Sequence, residues 1–167
     1  FVASLGVSIE QVPLWSGILF SLVAGAGAVG NHVCSRLLER YSPSAVILAS
    51  IFVAACVAAS VSGATQIVLL VAVLPLFGLA IGTGTTAAYT IAGHSIPSEA
   101  QGVGFSVLSS ASMAALALSP VLSGLLGSVS LRSVFLVDVA LLAGLGVIGS
   151  RKFHRIGAMR NLKPGKS

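Results

Sequence analysis

Five long runs of apolar residues dominate the sequence, and they constrain its fold more than any other feature. They cover about residues 14–34, 43–62, 66–92, 102–126 and 132–149. A helix that crosses a bilayer needs roughly 20 mostly apolar residues. Charged residues make up only 8% of the chain, whereas a water-soluble domain carries about a quarter. The sequence therefore predicts an all-α integral membrane protein with five complete spanning helices.

The basic residues lie almost entirely on one side of the predicted helices. The chain has nine of them, and all but Arg132 follow the first run, at Arg36 and Arg40, or the fifth run, in the tail 151–167. Because Lys and Arg are enriched in cytoplasmic loops, this asymmetry predicts a multi-pass protein of the plasma (inner) membrane with a cytoplasmic C-terminus. The net charge of +5 then indicates topology and contact with anionic headgroups, not binding of nucleic acid.

The motifs of common catalytic and metal sites are missing from the sequence. There is no CxxC and no HExxH, and the glycines of GLAIGTG near Gly78 lie inside an apolar run instead of following a strand. An intramembrane enzyme would need a catalytic pair, but Asp138 is the only acid within a run. We therefore predict a protein that is not an enzyme and that binds no cofactor or metal.

A charged cluster, SRLLERYS at residues 35–42, separates the first two runs. Arg36, Glu39 and Arg40 resemble, in register, the cytoplasmic loop signature of the major facilitator superfamily, roughly G-R-L-A-D-R-x-G-R-[RK]. Glu39 stands for the usual aspartate, and serines replace both glycines. In such a loop, an acid beside arginines pairs with a neighbouring helix and stabilises one conformation of the carrier.

A second element of the same family is found in the fourth run. Ser119, Pro120, Ser123 and Gly124 resemble its G-P-x-x-G-G helix-packing element, again with serine for glycine. The dipeptide Leu131-Arg132 resembles the entry to the family's next helix. These elements follow one another in order along about 150 residues.

The resemblance implies half of a fold that has twelve helices in two halves. The degenerate loop signature, Pro75 and the basic tail favour the C-terminal half, with the N-terminal half as the alternative. Residues 1–150 would then form a membrane domain, made of the end of helix seven and helices eight to twelve, followed by a basic cytoplasmic tail, 151–167. Because the chain starts at Phe1 without an initiator methionine, we expect that the N-terminal half of the same carrier precedes it.

The third run carries the candidate substrate residues. Gly78, Gly82, Thr86 and Thr90 recur every four residues on one helix face, with Tyr89 beside them. The resemblance implies that runs 14–34, 66–92 and 102–126 line the substrate cavity, with Thr86, Tyr89 and Thr90 available for hydrogen bonds. The alternative is that the threonines bond carbonyls of their own helix while the glycines pack.

Two further features concern coupling and packing. An ionisable group inside a membrane is a candidate functional site, so Asp138 is a candidate proton carrier, or else an ion-pair partner of Arg132 or an interfacial group.

Small residues spaced by four predict close helix packing in two runs. They are Gly17, Ser21 and Gly25 in the first run, and Ala111, Ala115, Ser119, Ser123 and Gly127 in the fourth.

The function that the resemblance implies is secondary active transport of a small solute by alternating access, with proton-coupled efflux of an amphipathic compound as the subclass. Its partners would be the lipid bilayer, the N-terminal half, the substrate and protons. The alternative is a membrane assembly subunit that does not transport, or an inactive half carrier.

Overall fold

Five long helices make up the fold in a computed structural model, which describes the backbone of residues 6–161. Side chains are described for the same residues except 129, 131–132 and 152–161. The helices are α1 (Val12–Arg40), α2 (Pro43–Ser62), α3 (Ile67–Ser95), α4 (Gln101–Val129) and α5 (Leu131–Asn161). Single 3₁₀ turns precede α1, at Ile9–Gln11, and α4, at Ser98–Ala100.

The predicted all-α class and the five spans are confirmed. Within the described residues, five helical segments are long and apolar enough to cross a membrane. They are Ile9–Arg40, Pro43–Ser62, Ile67–Ser95, Ser98–Ser128 and Ser133–Arg151. The helices extend beyond several of the predicted edges, most of all α5, whose backbone stays helical through the first eleven residues of the predicted tail. The expected end of a preceding helix falls partly on residues 1–5, outside the described residues.

The connection between α1 and α2 is shorter than predicted. The loop expected over residues 35–42 is helical up to Arg40, so only Tyr41 and Ser42 join the two helices. Pro43 is the physical reason why α1 does not continue into α2, because the residue that precedes a proline is disfavoured in the helical region of backbone conformation. Ser42 is accordingly extended, with φ −66° and ψ 143°, and its hydroxyl accepts a hydrogen bond from the backbone N–H of Ala45 at 3.3 Å. Proline is well tolerated in the first turn of a helix, where its missing N–H has no partner to lose.

Helix α3 is the centre of the bundle, since it packs against both α1 and α2. One apolar cluster joins Leu19 of α1, Val57 and Val61 of α2, and Leu70 of α3. A second cluster joins Cys34, Val46 and Ala87 of the same three helices. Because both clusters contain residues of all three helices, α1, α2 and α3 form one packed unit along their length.

Helix α2 buries a single stripe and is flanked by α3 and α5. Its buried residues recur at helical spacing, at Val46, Ser50, Ala54, Val57, Ala58 and Val61. A Cβ added to Gly84 of α3 would lie 3.1 Å from the Cβ of Ser50, so the absent side chain lets α2 and α3 approach there. On another side of α2, Gly146 of α5 lies beside Ile51.

Helix α4 is far less covered than the others. It touches α3 near its own N-terminus and α5 near its C-terminus, and every residue from 109 to 125 between these contacts is exposed. Hydroxyls of the helix are partly satisfied locally, as for Ser112, which donates to the carbonyl of Leu108 at 3.0 Å. The described part of the chain therefore leaves the middle of α4 uncovered.

Candidate functional site

Glycines bring α1 and α3 into backbone contact. A Cβ on Gly78 would collide with the carbonyl oxygen of Val23, and one on Gly82 would collide with that of Gly27. Gly30 of α1 likewise faces the backbone of Leu79. Close approach of this kind is how helices associate in lipid, where apolar burial gives little drive. Because the contacts advance in the same direction on both helices, α1 and α3 run parallel.

Two polar contacts continue the same interface. The buried hydroxyl of Thr83 donates to the carbonyl of Gly30 at 3.2 Å. Three residues further along α3, the hydroxyl of Thr86 donates to Oδ1 of Asn31 at 3.0 Å. The second bond fixes the orientation of the amide, since its oxygen faces Thr86 and its NH₂ group must point elsewhere.

A groove of about 390 Å³ lies along one edge of this helix pair, and we call it the α1–α3 groove. It is lined by Val23, Ala24, Gly27, Ala28, Asn31, Gly78, Ile81, Gly82 and Thr85. Most of these side chains are small, so the groove walls are largely backbone and methyl groups. Asn31 and Thr85 supply the side-chain hydrogen-bonding groups, and neither carries a charge.

The three predicted substrate residues occupy different positions around α3. Thr86 lies in the interface and bonds Asn31, beside the groove. The hydroxyl of Thr90 donates to the carbonyl of Thr86 in its own helix at 2.9 Å, as in the alternative reading of the threonines. Tyr89 stacks on Phe105 of α4, with ring centroids 6.0 Å apart and planes inclined by 13°. All three are half-buried.

The contact between Tyr89 and Phe105 is part of a small junction near the C-terminal end of α3. Gly93 lies opposite the same Phe105 ring, and Gly104 faces the side chain of Ile96. These contacts hold the start of α4 against the end of α3.

A larger cavity, of about 480 Å³, lies between α1, α2 and α3. Its walls are mostly aliphatic, and its few hydroxyls include that of Thr83, which already donates to Gly30. Such a surface offers a polar solute few hydrogen bonds. The α1–α3 groove is therefore the better candidate for recognition of a solute with polar groups.

The predicted loop-signature residues lie on the last two turns of α1. Arg36, Glu39 and Arg40 are all exposed there. The prediction that these residues lie in a loop was wrong, because α1 continues to Arg40. The backbone becomes extended only just before Pro43. Tyr41 closes the helix by donating its N–H to the carbonyl of Leu37 at 2.8 Å.

The predicted packing element and Asp138 lie away from the groove. Ser119, Pro120, Ser123 and Gly124 are exposed in the middle of α4, and no described atom comes within 4 Å of a Cβ built on Gly124. Asp138 is exposed on α5, which packs mainly against α2. The expected pairing of Asp138 with Arg132 involves a side chain outside those described.

Metal ligands are not clustered in the part of the chain that the structure describes, where no three His, Cys, Asp or Glu residues come together. His94 instead approaches the carbonyl of Thr90 in its own helix, with Nδ1 2.7 Å from the oxygen. Both cysteines are free, with Cys34 buried and Cys56 exposed.

Three residues at the contacts of α3 with its neighbours were not predicted from the sequence. Asn31 carried a usable signal, since an amide inside an apolar run is uncommon and polar groups in membranes usually face protein or water. Thr83 and Phe105 carried no comparable signal. Their roles depend on which helix packs against α3, and a single helical pattern does not specify its neighbour.

Comparison with protein-family models matches residues 1–164 to the Major Facilitator Superfamily. The match therefore covers almost the whole chain of 167 residues. No curated protein and no solved structure gives a significant match.

Proposed function

The chain belongs to the Major Facilitator Superfamily, and on that premise we propose that it moves a small solute across a membrane by alternating access, as one half of a secondary active transporter. The observation that carries the proposal is the α1–α3 groove, which presents Asn31 and Thr85 on membrane-spanning helices. Polar groups on a membrane-spanning helix favour water or a solute over lipid. A groove between spanning helices is a suitable place for a solute to bind in transit.

We further propose that this chain is the C-terminal half and that it packs with the N-terminal half of the same carrier. The uncovered middle of α4 supports this proposal, because apolar side chains such as Met113 and Leu116 are exposed there together with the hydroxyls of Ser119 and Ser123. A helix surface with several hydroxyls is better suited to a protein neighbour than to lipid alone. The same surface also fits the second candidate function, an assembly subunit that does not transport.

A transport assay on the native full-length protein distinguishes the transporter from the assembly subunit. The protein is reconstituted into proteoliposomes, and entry of ethidium, a cationic amphipathic dye, is followed with and without an imposed pH gradient. Gradient-driven flux that nigericin abolishes is expected for proton-coupled efflux. Flux from the native protein, but not from residues 1–167 alone, would support the half-carrier assignment.

Alternating access has a test that does not depend on the substrate. Thr85→Cys is introduced on the groove wall in a background with Cys34→Ala and Cys56→Ala. A membrane-impermeant thiol reagent is then applied from one side at a time. A transporter that alternates exposes this thiol to each side in turn. A thiol that reacts from neither side, in a protein that shows no flux, would favour the assembly subunit.

Asp138 is proposed as a proton or ion-pair site, because it is the only acid inside a predicted span. Asp138→Asn removes the charge and keeps the shape of the side chain. If Asp138 carries the coupling proton, the variant loses gradient-driven flux but retains exchange of substrate. Unchanged proton-coupled flux would remove this role and leave an ion pair or an interfacial position as the alternatives.

A further inference from the structure

We propose that Asn31 is a specificity-determining residue whose amide NH₂ group binds a hydrogen-bond acceptor, such as a carbonyl oxygen, of an uncharged part of the solute in the α1–α3 groove. The proposal rests on the transport function given above. It names the chemistry of the ligand group and assigns Thr86 as the residue that positions the amide.

The first step concerns the two ends of the amide. Oδ1 of Asn31 accepts the hydroxyl proton of Thr86 at 3.0 Å. An amide has an acceptor oxygen and two N–H donors. With the oxygen occupied, the donors remain available on a side chain that lines the groove and is itself exposed. The groove therefore presents donors to whatever enters it.

The second step concerns depth in the membrane. Asn31 precedes the end of α1 at Arg40 by nine residues, which is about 14 Å at 1.5 Å per residue. Arg36, the next charged residue of α1, follows five residues later, so Asn31 lies within the predicted span 14–34 and close to its end. A polar side chain in such a position favours protein, water or a solute over lipid. A solute that supplies an acceptor can bond the N–H groups of this amide, whereas a hydrocarbon cannot.

The third step concerns size and charge. The groove walls beside Asn31 are formed by Gly27, Ala28, Gly78 and Gly82, so a flat or branched group can reach the amide. Among the residues that the structure describes, no acidic or basic side chain lines the groove. The bound part of the solute is therefore neutral and apolar apart from its acceptor.

Photolabelling with benzophenone tests the assignment directly, because its carbonyl is both a hydrogen-bond acceptor and the reactive group. The native full-length protein in nanodiscs is irradiated with benzophenone, and labelled residues are mapped by mass spectrometry. A parallel sample receives iodophenyl trifluoromethyl diazirine, an apolar probe without a carbonyl. We expect benzophenone to label groove residues such as Ala28 and Ile81.

Two pairs of variants separate recognition from folding. Asn31→Val should lower benzophenone labelling of the groove at least tenfold while diazirine labelling persists. Thr86→Val should lower it several-fold by releasing the amide, and Thr86→Ser, which keeps the hydroxyl, should restore it. Unchanged benzophenone labelling in Asn31→Val, or labelling of wild type outside the groove only, would overturn the proposal. If Asn31→Val loses both labels, the Thr86 pair decides: equal labelling of its valine and serine variants overturns the proposal.

The labelling result is independent of the transport assay. Groove labelling that depends on Asn31, in a protein without ethidium flux, would retain the binding site and count against transport of that dye. Flux that persists without Asn31-dependent labelling would retain transport and reject Asn31 as the recognition residue.

Discussion

Single glycines decide how closely α1 and α3 approach. At Gly82 a Cβ would collide with the carbonyl oxygen of Gly27, whereas at Gly25 no described atom lies within 4 Å of the corresponding position. We expect Gly82→Ala to lower the free energy of unfolding by about 1–3 kcal/mol, the usual range for overpacking. Gly25→Ala should be neutral or slightly stabilising, because alanine favours the helix. Unfolding in a denaturing detergent measures both, and equal losses would contradict the assigned contact.

The threonines of α3 differ in the bonds that their hydroxyls make. Thr83 bonds across the interface to Gly30, while Thr90 bonds within its own helix. Thr83→Val keeps the shape but removes an interhelical bond, so we expect a loss of about 0.6–2 kcal/mol in unfolding free energy. Thr90→Val serves as the matched control and should change stability by less than about 0.5 kcal/mol. A larger loss for Thr90→Val than for Thr83→Val would contradict the two assignments.

At the scale of elements, the aromatic stack of Tyr89 on Phe105 joins α3 to α4. A double-mutant cycle of Tyr89→Leu and Phe105→Leu should give a coupling free energy of about 0.5–1.5 kcal/mol, as stacked aromatic pairs do. The control cycle pairs Tyr89→Leu with Phe20→Leu, since Phe20 is exposed on α1. That cycle should be additive, because distant residues act independently. Additivity in both cycles would show that the rings contribute no specific attraction.

The sequence predicts the helices better than it predicts their neighbours. Apolar length is a local property, so the five spans follow from it. The first run offers small residues on more than one face, however, and the stripe of Gly17, Ser21 and Gly25 was the predicted packing face. The structure uses Gly27 and Gly30 instead, with nothing within 4 Å of a Cβ at Gly17 or Gly25. Small residues show where a backbone can be approached, but the partner helix decides which face is used.

The same limit applies to the candidate site. Thr86 was predicted on a polar face of α3, but its acceptor lies on α1, far away in sequence. The predicted face joined Gly78, Gly82 and Thr86 correctly in space, since all three meet α1. Whether that face binds a solute or a helix depends on the packing of α1 across it. Here the face packs against α1, and the interface continues into the open groove where we propose that the solute binds.

At the scale of the whole molecule, packing is uneven. The three helices α1, α2 and α3 share two apolar clusters, while residues 109–125 of α4 are exposed throughout. A carrier that alternates needs one rigid unit and a surface along which another unit moves. In the proposed transporter, the packed helices α1, α2 and α3 would form the rigid unit, and α4 with the α1–α3 groove would face the moving unit.

The distribution of basic residues fixes the expected orientation of this whole arrangement. Tyr41 lies in the connection after Arg36 and Arg40, and Thr65 lies in the connection at the other end of α2; both are exposed. In a background with Cys34→Ala and Cys56→Ala, we expect a membrane-impermeant maleimide to label Thr65→Cys in intact cells. Tyr41→Cys should be labelled only after permeabilisation, because positive connections stay inside.

The opposite pattern would place the basic tail outside and would invert the orientation of α1 and α3 in the membrane. Labelling of both positions in intact cells would contradict the assignment of α2 as a spanning helix, since its 20 residues separate the two sites. Protection of both until permeabilisation would do the same. The two thiols therefore test the span and its direction together, through residues that take no part in the groove.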